Sequence, residues 1–311
     1  MGGRPGLSGR PRKIETMQTH YSSMERPGLD PARLRAALLA PNGPFAALEV
    51  VEQTGSTNSD LAEAARLRPH EVPDLTVLTA ELQTAGRGRM DRSWIAPIRS
   101  SLFVSVLLRP VNPGGRPLPT QSYGWLSLLA ALAMADSVAA RTGVEARLKW
   151  PNDVMVDGRK LAGVLAQLVP SGDGTPPAVV VGVGLNVSLT DEDLPVPTAT
   201  SLLMEYASTT DRNILLEDYL LALAGQYRAF CAVDGDPDAV PAGFGDSLRG
   251  RITARLTTLR RQVQAQLPGG GVLTGRAVAL EPTGALVIVD ATGMPHTVSA
   301  ADVVHLRAEP A

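Results

Sequence analysis

Along the first hundred positions, apolar residues follow the spacing of a helix in some segments and that of a strand in others. This pattern predicts helices mixed with strands. Residues 30–40 open on an N-cap aspartate and a first-turn proline, which predicts a short helix. Residues 45–67 predict a strand, a turn over 56–58 and a second helix. Two apolar strands are expected over 75–82 and 100–110. The segment between them is a long loop, for which function or disorder is the usual explanation.

The middle of the chain continues this mixture. The longest apolar run, 123–143, is interrupted by an aspartate and by serines, and it ends in a helix-stop glycine, a pattern typical of a core helix and not of a membrane span. Asp157-Gly158 between two apolar runs predicts a tight hairpin. Residues 178–188 predict another strand, and 212–257 show helical spacing with an interruption.

The last part of the chain predicts a separate small unit. From about residue 258, short strands alternate with Gly and Pro turns, as in a small barrel. Regular βαβ alternation is missing, so we predict an α+β fold with a mixed, mostly antiparallel sheet. The Gly-, Pro- and Ser-rich residues 1–29 predict a disordered tail. We place the main domain at 30–257 and the small one at 258–311.

Charge and cysteine content exclude several classes of protein. The 29 basic and 31 acidic residues give a net charge of −2, so any site for a polyanion must be local. The single cysteine, Cys231, excludes an internal disulfide framework and a multi-cysteine zinc site. We interpret it as a small core residue, the alternative being a reactive thiol. The N-terminal segment lacks the apolar run of a secretory signal, and we expect a cytoplasmic protein.

The loop at 84–94 concentrates glycine and arginine: Gly86-Arg87-Gly88-Arg89 is followed by Arg92 and Trp94. Arginine offers planar paired donors to phosphate or carboxylate, and glycine lets the backbone approach an anion. The loop therefore predicts a clamp for an anionic ligand. By itself the pattern is weak, because such segments also occur in disordered nucleic-acid binders and on solvated surfaces.

Two lysines strengthen this hypothesis. Lys149 and Lys160 lie in or beside apolar strands, where burial without a negative partner is costly. Either could instead extend its amine to water from a strand end. Convergence of both with the arginines on one sheet face would require a polyanion. Gly182 and Gly184 within a strand allow close approach of another group, and Asn186 is either a satisfied core amide or a ligand contact.

Four blocks, in this order, resemble the biotin protein ligases: GSTNSD at 55–60, AELQTAGRGRMDRSW at 80–94, LKWPNDVMVDGRKLAGVLAQ at 148–167 and VVVGVGLNVS at 179–188. The similarity is strongest to the short form without an N-terminal DNA-binding module. It implies a class II synthetase-like catalytic domain over 30–257 and a C-terminal SH3-like barrel. It also implies that biotin, ATP and Mg²⁺ give biotinyl-5′-AMP, whose biotinyl group passes to a lysine of the biotin carboxyl carrier domain of acyl-CoA carboxylases.

The resemblance further implies roles for individual residues. The positions that match biotin contacts are Ser56, Thr57, Asn58, Gln83, Arg87, Gly88, Arg89, Lys160, Gly163 and Gly182. The positions that match nucleotide contacts are Arg87, Arg89, Arg92, Trp94, Lys149, Asn152, Lys160 and Asn186. For catalysis we select Lys160 and Arg89, which would neutralise the reacting anions. We add Asp153, which would orient the incoming amine or accept its proton, or would merely cap a turn after Pro151. No residue is predicted to ligate a metal.

Three rival functions stay open. A lipoyl ligase would share the fold but should not carry KWPND together with GRGR. A biotin-responsive repressor would need a DNA-binding module, and only about 25 residues separate the predicted tail from the GSTN block, fewer than a winged helix-turn-helix needs. A third rival is a protein that holds biotin without turnover. Neither specific DNA binding nor membrane association is expected.

Overall fold

Helices and strands alternate irregularly along this computed structural model, which describes residues 26–90, 92–171, 176–267, 270–299 and 302–305. The helices are α1 (Pro31–Leu38), α2 (Thr57–Leu67), α3 (Gly124–Thr142), α4 (Arg212–Ala232) and α5 (Leu248–Arg255), with a short 3₁₀ turn at Thr120–Ser122. The strands are β1 (Ala47–Val51), β2 (Thr76–Ala80), β3 (Ser101–Leu108), β4 (Arg147–Lys149), β5 (Asp153–Val156), β6 (Arg159–Val169), β7 (Ala178–Asn186), β8 (Gln262–Gln266), β9 (Val272–Leu280), β10 (Leu286–Val289), β11 (Pro295–Val298) and β12 (Asp302–His305).

Seven strands form the larger sheet, in the order β1-β2-β3-β7-β6-β5-β4. Only β1 and β2 run parallel, and every other neighbouring pair in this sheet is antiparallel. The predicted α+β fold with a mixed, mostly antiparallel sheet is therefore confirmed. The turn predicted over 56–58 is shifted, because Ser56 is the N-cap of α2 and Thr57 and Asn58 form its first turn.

Side-chain alternation along β3 and β7 divides the larger sheet into two faces. Leu102, Val104 and Val106 pack in one core cluster with α3 and α4. Leu107 and Val180 face the other way and pack against α2. The space on this second face beyond α2 remains open, and the functional residues collect there.

Helix α3 is a core helix, as its sequence predicted. The segment Thr120–Thr142 is long and apolar enough to cross a membrane by length and composition, but 67% of its most apolar window is buried inside the protein. The helix ends at Gly143, whose φ of 74° is the left-handed conformation that glycine adopts without strain.

The predicted turn between β5 and β6 is also confirmed. Asp157 and Gly158 have φ values of 47° and 79°, as a type I′ hairpin turn requires at both central positions. Strands β8 to β12 form a second, antiparallel sheet in the order β11-β10-β9-β8-β12, in agreement with a small C-terminal β domain. The exact boundary at 257/258 stays a prediction. At this junction Trp150 N–H donates to Thr258 Oγ1 at 2.9 Å.

The predicted tail, 1–29, is wrong at its C-terminal end. Residues 26–29 pack on the main domain, where Arg26 is buried and its Nη2 lies 2.9 Å from Asp193 Oδ2. Leu29 is buried as well, and its N–H donates to Glu81 Oε1 at 2.6 Å. The Gly-, Pro- and Ser-rich composition of the segment does not indicate these long-range contacts. Residues 1–25 lie outside the described part of the chain.

Candidate functional site

A cavity of about 990 Å³ opens on the α2 face of the larger sheet. The arginine loop and the lysine-bearing strands line it together. Every candidate site residue selected from the sequence contributes to its wall: Ser56, Thr57, Asn58, Gln83, Arg87, Gly88, Arg89, Arg92, Trp94, Lys149, Asn152, Asp153, Lys160, Gly163, Gly182 and Asn186. The loop and Lys160 therefore face the same space.

The floor of the cavity is a flat area of strand backbone. Gly182 stands between Ser105 and Leu165 in the cross-strand register, and Gly184 stands beside Gly163. A β-carbon on Gly182 would lie 2.1 Å from the Oδ1 of Asn58, nearer than real side chains allow. Glycine at 182 therefore leaves the space that the Asn58 amide occupies above the sheet.

Polar groups meet at one end of the cavity, where α2 begins. The chain after β2 continues beside Thr54, whose N–H donates to Leu82 O at 3.1 Å, and this brings Gln83 against the start of the helix. Gln83 Oε1 accepts the N–H of Thr57 at 2.8 Å and its hydroxyl at 3.0 Å. Asn58 Nδ2 donates to Leu165 O at 2.9 Å. Thr57 is thus fixed by hydrogen bonds to Gln83, and Asn58 by a hydrogen bond to β6.

Lys160 forms an ion pair within the cavity. Its Nζ lies 2.6 Å from Asp153 Oδ1 and 5.3 Å from the ring centroid of Trp94. The expectation that a lysine in this strand needs a negative partner is confirmed. Asp153 is the first residue of β5 and holds this lysine, so it is not a simple turn cap. Trp94 is itself positioned by Gly184, since a β-carbon there would lie 2.6 Å from the indole ring.

The arginine loop is closed on itself by backbone hydrogen bonds. Trp94 N–H donates to Gly86 O at 2.8 Å, and Gly88 N–H donates to Arg92 O at 2.6 Å. A β-carbon on Gly86 would meet Trp94 O at 2.3 Å, so this glycine is needed for close backbone approach. Such a narrow loop directs its arginines toward the cavity that they line.

Positive charge dominates the cavity wall. Its described lining contains five cationic side chains, which are Arg87, Arg89, Arg92, Lys149 and Lys160, and one carboxylate, Asp153. No group of three or more potential His, Cys, Asp or Glu metal ligands occurs among the described residues. Burial, followed by the charges of Lys149 and Arg261, lowers the pKa of nearby His305. The field therefore suits a ligand that carries several negative charges.

Two amides of the site are held by backbone groups. Asn152 Nδ2 donates to Val164 O at 2.7 Å. Asn186 Nδ2 donates to Thr200 O at 2.9 Å, and the residue also lines the cavity. Its amide nitrogen is therefore satisfied within the protein, and its role as a ligand contact stays a prediction.

Sequence reasoning did not select several lining residues. Ser105 was detectable as a lone polar position within the apolar run of β3. Gly184 was noted with Gly182 as a glycine within a strand, but no binding role was assigned to it. The sequence of segment 195–199 has no feature that indicates a binding site. It joins the site because Lys160 N–H donates to Thr198 O at 2.7 Å. Val304 comes from the C-terminal sheet, a contact between parts distant in the sequence.

Known proteins resemble this chain over both sheets. A model of the biotin/lipoate A/B protein ligase family matches residues 50–186, and one of the biotin protein ligase C terminal domain matches residues 258–306. A biotin–[acetyl-CoA-carboxylase] ligase of Mycobacterium tuberculosis is 41% identical over 285 residues, 91% of this chain and 97% of that protein. The bifunctional ligase/repressor BirA of Bacillus spizizenii is 28% identical over 260 residues, 81% of this chain and 71% of that protein. The biotin protein ligase from Aquifex aeolicus in complex with biotin and ATP is 25% identical with a TM-score of 0.63, and the match covers 85% of this chain and 100% of that one.

Proposed function

The chain belongs to the biotin protein ligase family, and from that premise we propose how its cavity activates biotin and which protein receives the biotinyl group. The protein is an ATP-dependent ligase that joins biotin to protein. The observation that carries the residue-level proposal is the ratio of five cations to one carboxylate around a glycine floor.

In the first step an oxygen of the biotin carboxylate attacks the α-phosphorus of ATP. A carboxyl–phosphate anhydride forms, the bond to the β-phosphate breaks, and pyrophosphate leaves with the electron pair. Two anions must approach each other, so charge neutralisation is the main requirement. Lys160 and Arg89 meet this requirement at the carboxylate and the α-phosphate, and Arg87 and Arg92 serve the remaining phosphates.

Biotin occupies the end of the cavity where Ser56, Thr57, Asn58 and Gln83 meet, with its ring on Gly182. Its carboxylate then extends past Gly163 toward Lys160. The nucleotide lies along Trp94, Lys149, Asn152 and Asn186. Each of these residues lines the same cavity, and the two ligands together present one carboxylate and three phosphates to its cations.

Magnesium enters with ATP as part of the substrate. The only carboxylate in the described lining, Asp153, is already paired with Lys160. Mg²⁺ commonly uses one or two carboxylates together with substrate phosphates and waters. The residues therefore fit a metal that is carried by the nucleotide, and the ion adds positive charge at its phosphates.

In the second step the acceptor amine attacks the carbonyl carbon of the adenylate. An amide bond forms, the bond to the phosphate oxygen breaks, AMP leaves, and one amine proton must depart. We assign this role to Asp153, the only carboxylate in the described lining, which would orient the amine or take that proton while it pairs with Lys160. Gly88 and the arginines of the loop cover the adenylate and exclude water until the acceptor arrives.

The acceptor is a lysine on the biotin carboxyl carrier domain of an acyl-CoA carboxylase. This proposal follows the name of the Mycobacterium tuberculosis relative, a biotin–[acetyl-CoA-carboxylase] ligase. The reaction takes place in the cytoplasm, where ATP and the carboxylase are available. Specific DNA recognition is not part of the proposed activity, and a salt-resistant operator footprint would contradict that expectation.

Incubation of the purified protein with MgATP and biotin, followed by mass spectrometry, tests the proposal. We expect biotinyl-AMP, and we expect its loss when a carboxylase carrier domain is added, with the biotinyl mass appearing on one lysine. Lipoate in place of biotin serves as the control. Formation of lipoyl-AMP in preference to biotinyl-AMP, or biotin binding without any adenylate, would overturn it.

A further inference from the structure

Ser105 lines the cavity beside Thr57 and Asn58 and takes part in a buried cluster of hydroxyl and amide groups. Its side chain is 0% exposed, and Gly182 stands opposite it in the sheet. The Oγ of Ser105 is 2.8 Å from Thr57 Oγ1 and 2.7 Å from Asn58 Oδ1. A buried serine with two such short contacts fixes the groups around it.

The protons of this cluster can be counted. Thr57 gives its hydroxyl proton to Gln83 Oε1, which cannot donate in return. Asn58 turns its Nδ2 toward Leu165 O, so its Oδ1 faces Ser105 as an acceptor only. Ser105 has a single hydroxyl proton for two acceptors. In this hydrogen-bond arrangement, one of these two oxygens can accept a further proton from a ligand.

A ligand that donates an N–H group at this end of the cavity would complete the cluster. The ureido ring of biotin carries two N–H groups on either side of a carbonyl. We propose that Ser105 is a positioning residue for that ring: its hydroxyl serves one of the oxygens of Thr57 and Asn58, and a ureido N–H of biotin serves the other. This inference rests on the proposed placement of biotin beside Thr57.

The same count of proton donors predicts that the site discriminates between biotin and lipoate. The dithiolane ring of lipoate has no N–H group, so it would leave the second acceptor unpaired in a buried place. Sites built to hydrogen-bond a polar ligand reject analogues that lack the polar group more strongly than apolar sites reject analogues that differ by a methylene. Ser105 therefore contributes to the choice of substrate and not only to its affinity.

The variants Ser105→Val and Ser105→Thr isolate the hydroxyl, because both add one branch at the β-carbon and only threonine retains the O–H. We expect Ser105→Val to raise the biotin KM in ATP–pyrophosphate exchange about tenfold relative to Ser105→Thr. The ATP KM and the melting temperature should agree between the two. Ser101→Ala is the matched control, since Ser101 is a fully buried serine in the same strand that does not line the cavity.

Equal biotin KM values for the valine and threonine variants would overturn the inference. If the added branch prevents folding, Ser105→Ala is compared with Ser101→Ala, and an unchanged biotin KM again overturns it. The variant Thr57→Val distinguishes the role of Ser105 from the proposed placement of biotin. A raised biotin KM in Thr57→Val alone would reject the role of Ser105 and keep the placement of biotin. No change in either would reject the placement itself.

Discussion

The indole ring of Trp94 lies directly on the backbone of Gly184. A β-carbon at position 184 would be 2.6 Å from Cε2 of the ring and 2.7 Å from its Nε1. The same ring is 5.3 Å from Lys160 Nζ and would be 2.9 Å from a β-carbon on Gly163. The glycines of β6 and β7 therefore determine where the loop that ends at Trp94 can lie.

Gly184→Ala should displace Trp94 and the arginine loop. Misplacement of positioning groups by about 1 Å can cost up to 10²-fold in rate. We expect kcat/KM for ATP to fall about 10- to 100-fold in pyrophosphate exchange. Gly225→Ala is the control, since a β-carbon on this exposed helical glycine meets nothing within 4 Å. Normal ATP kinetics in Gly184→Ala would show that the packing of Trp94 on the sheet does not matter.

Lys160→Ala should slow formation of biotinyl-AMP by about 10²–10³, as removal of one preorganised donor to a developing charge does. Single-turnover quench with mass spectrometry measures this step without the transfer step. Arg66→Ala, which removes an exposed positive charge from α2, controls for the change in net charge. A wild-type rate of adenylate formation in Lys160→Ala would contradict the assignment of this lysine.

Asp153→Asn should affect the second step more than the first. The acceptor amine, with an ordinary pKa of about 10.4, is charged at pH 7 and must lose a proton to react. We expect at least a tenfold slower transfer from preformed adenylate, with the rate rising steeply as pH increases toward the pKa of the amine. A chase of radiolabelled adenylate with the carrier domain measures it. Wild-type transfer with an unchanged pH profile would argue against Asp153.

The sequence was sufficient to predict the parts of the site that depend on local pattern. The hairpin at Asp157-Gly158 follows from backbone conformations that favour these two residues. The need of Lys160 for a negative partner follows from the cost of burying a charge among apolar neighbours. The resemblance of the sequence to a known family identified the remaining candidate residues, which lie in four short blocks.

Most of the contacts that the sequence did not predict are long-range. The ion pair of Lys160 with Asp153 lies within the predicted hairpin, but it depends on a pairing register that shifts between Val154 and Met155 and that the turn alone does not specify. The segment around Thr198 joins the site through a bridge to Lys160, and Val304 arrives from the second sheet. The anchoring of residues 26–29 likewise depends on Asp193 and Glu81, far along the chain. Spatial neighbours of this kind leave no periodic signal.

The buried ion pair of Arg212 and Glu81 should be important for stability. Arg212 Nη1 lies 2.6 Å from Glu81 Oε2, and the two side chains are 3% and 2% exposed. Arg212→Met leaves the Glu81 charge buried alone and should lower the free energy of unfolding by about 3–5 kcal/mol. The double variant Arg212→Met, Glu81→Leu should recover most of this loss in urea denaturation. Equal stability of the single variant and the wild type would refute the argument.

Exposed ion pairs provide the comparison for that experiment. Arg68 and Glu71 are 60% and 69% exposed, and their atoms are 3.5 Å apart. Surface pairs of this kind contribute little to stability, because water and salt screen them. Arg68→Ala should leave the urea midpoint unchanged, and a loss comparable to that of Arg212→Met would show that burial is not the cause.

Cys231 should be unreactive in the folded protein, as its interpretation as a core residue implies. Burial, chiefly through desolvation of the thiolate, raises the pKa of the Cys231 thiol to about 12 from an ordinary value of 9.0. Since the thiolate is the reactive form, a thiol reagent at pH 8 should label the native protein only as fast as it unfolds. The raised pKa also means that the contribution to stability is fully present below pH 9 and is lost as the pH rises toward 12. Labelling of the native chain at the rate measured in urea would contradict the expected protection, and a urea midpoint that does not fall between pH 9 and 12 would contradict the expected loss of stability.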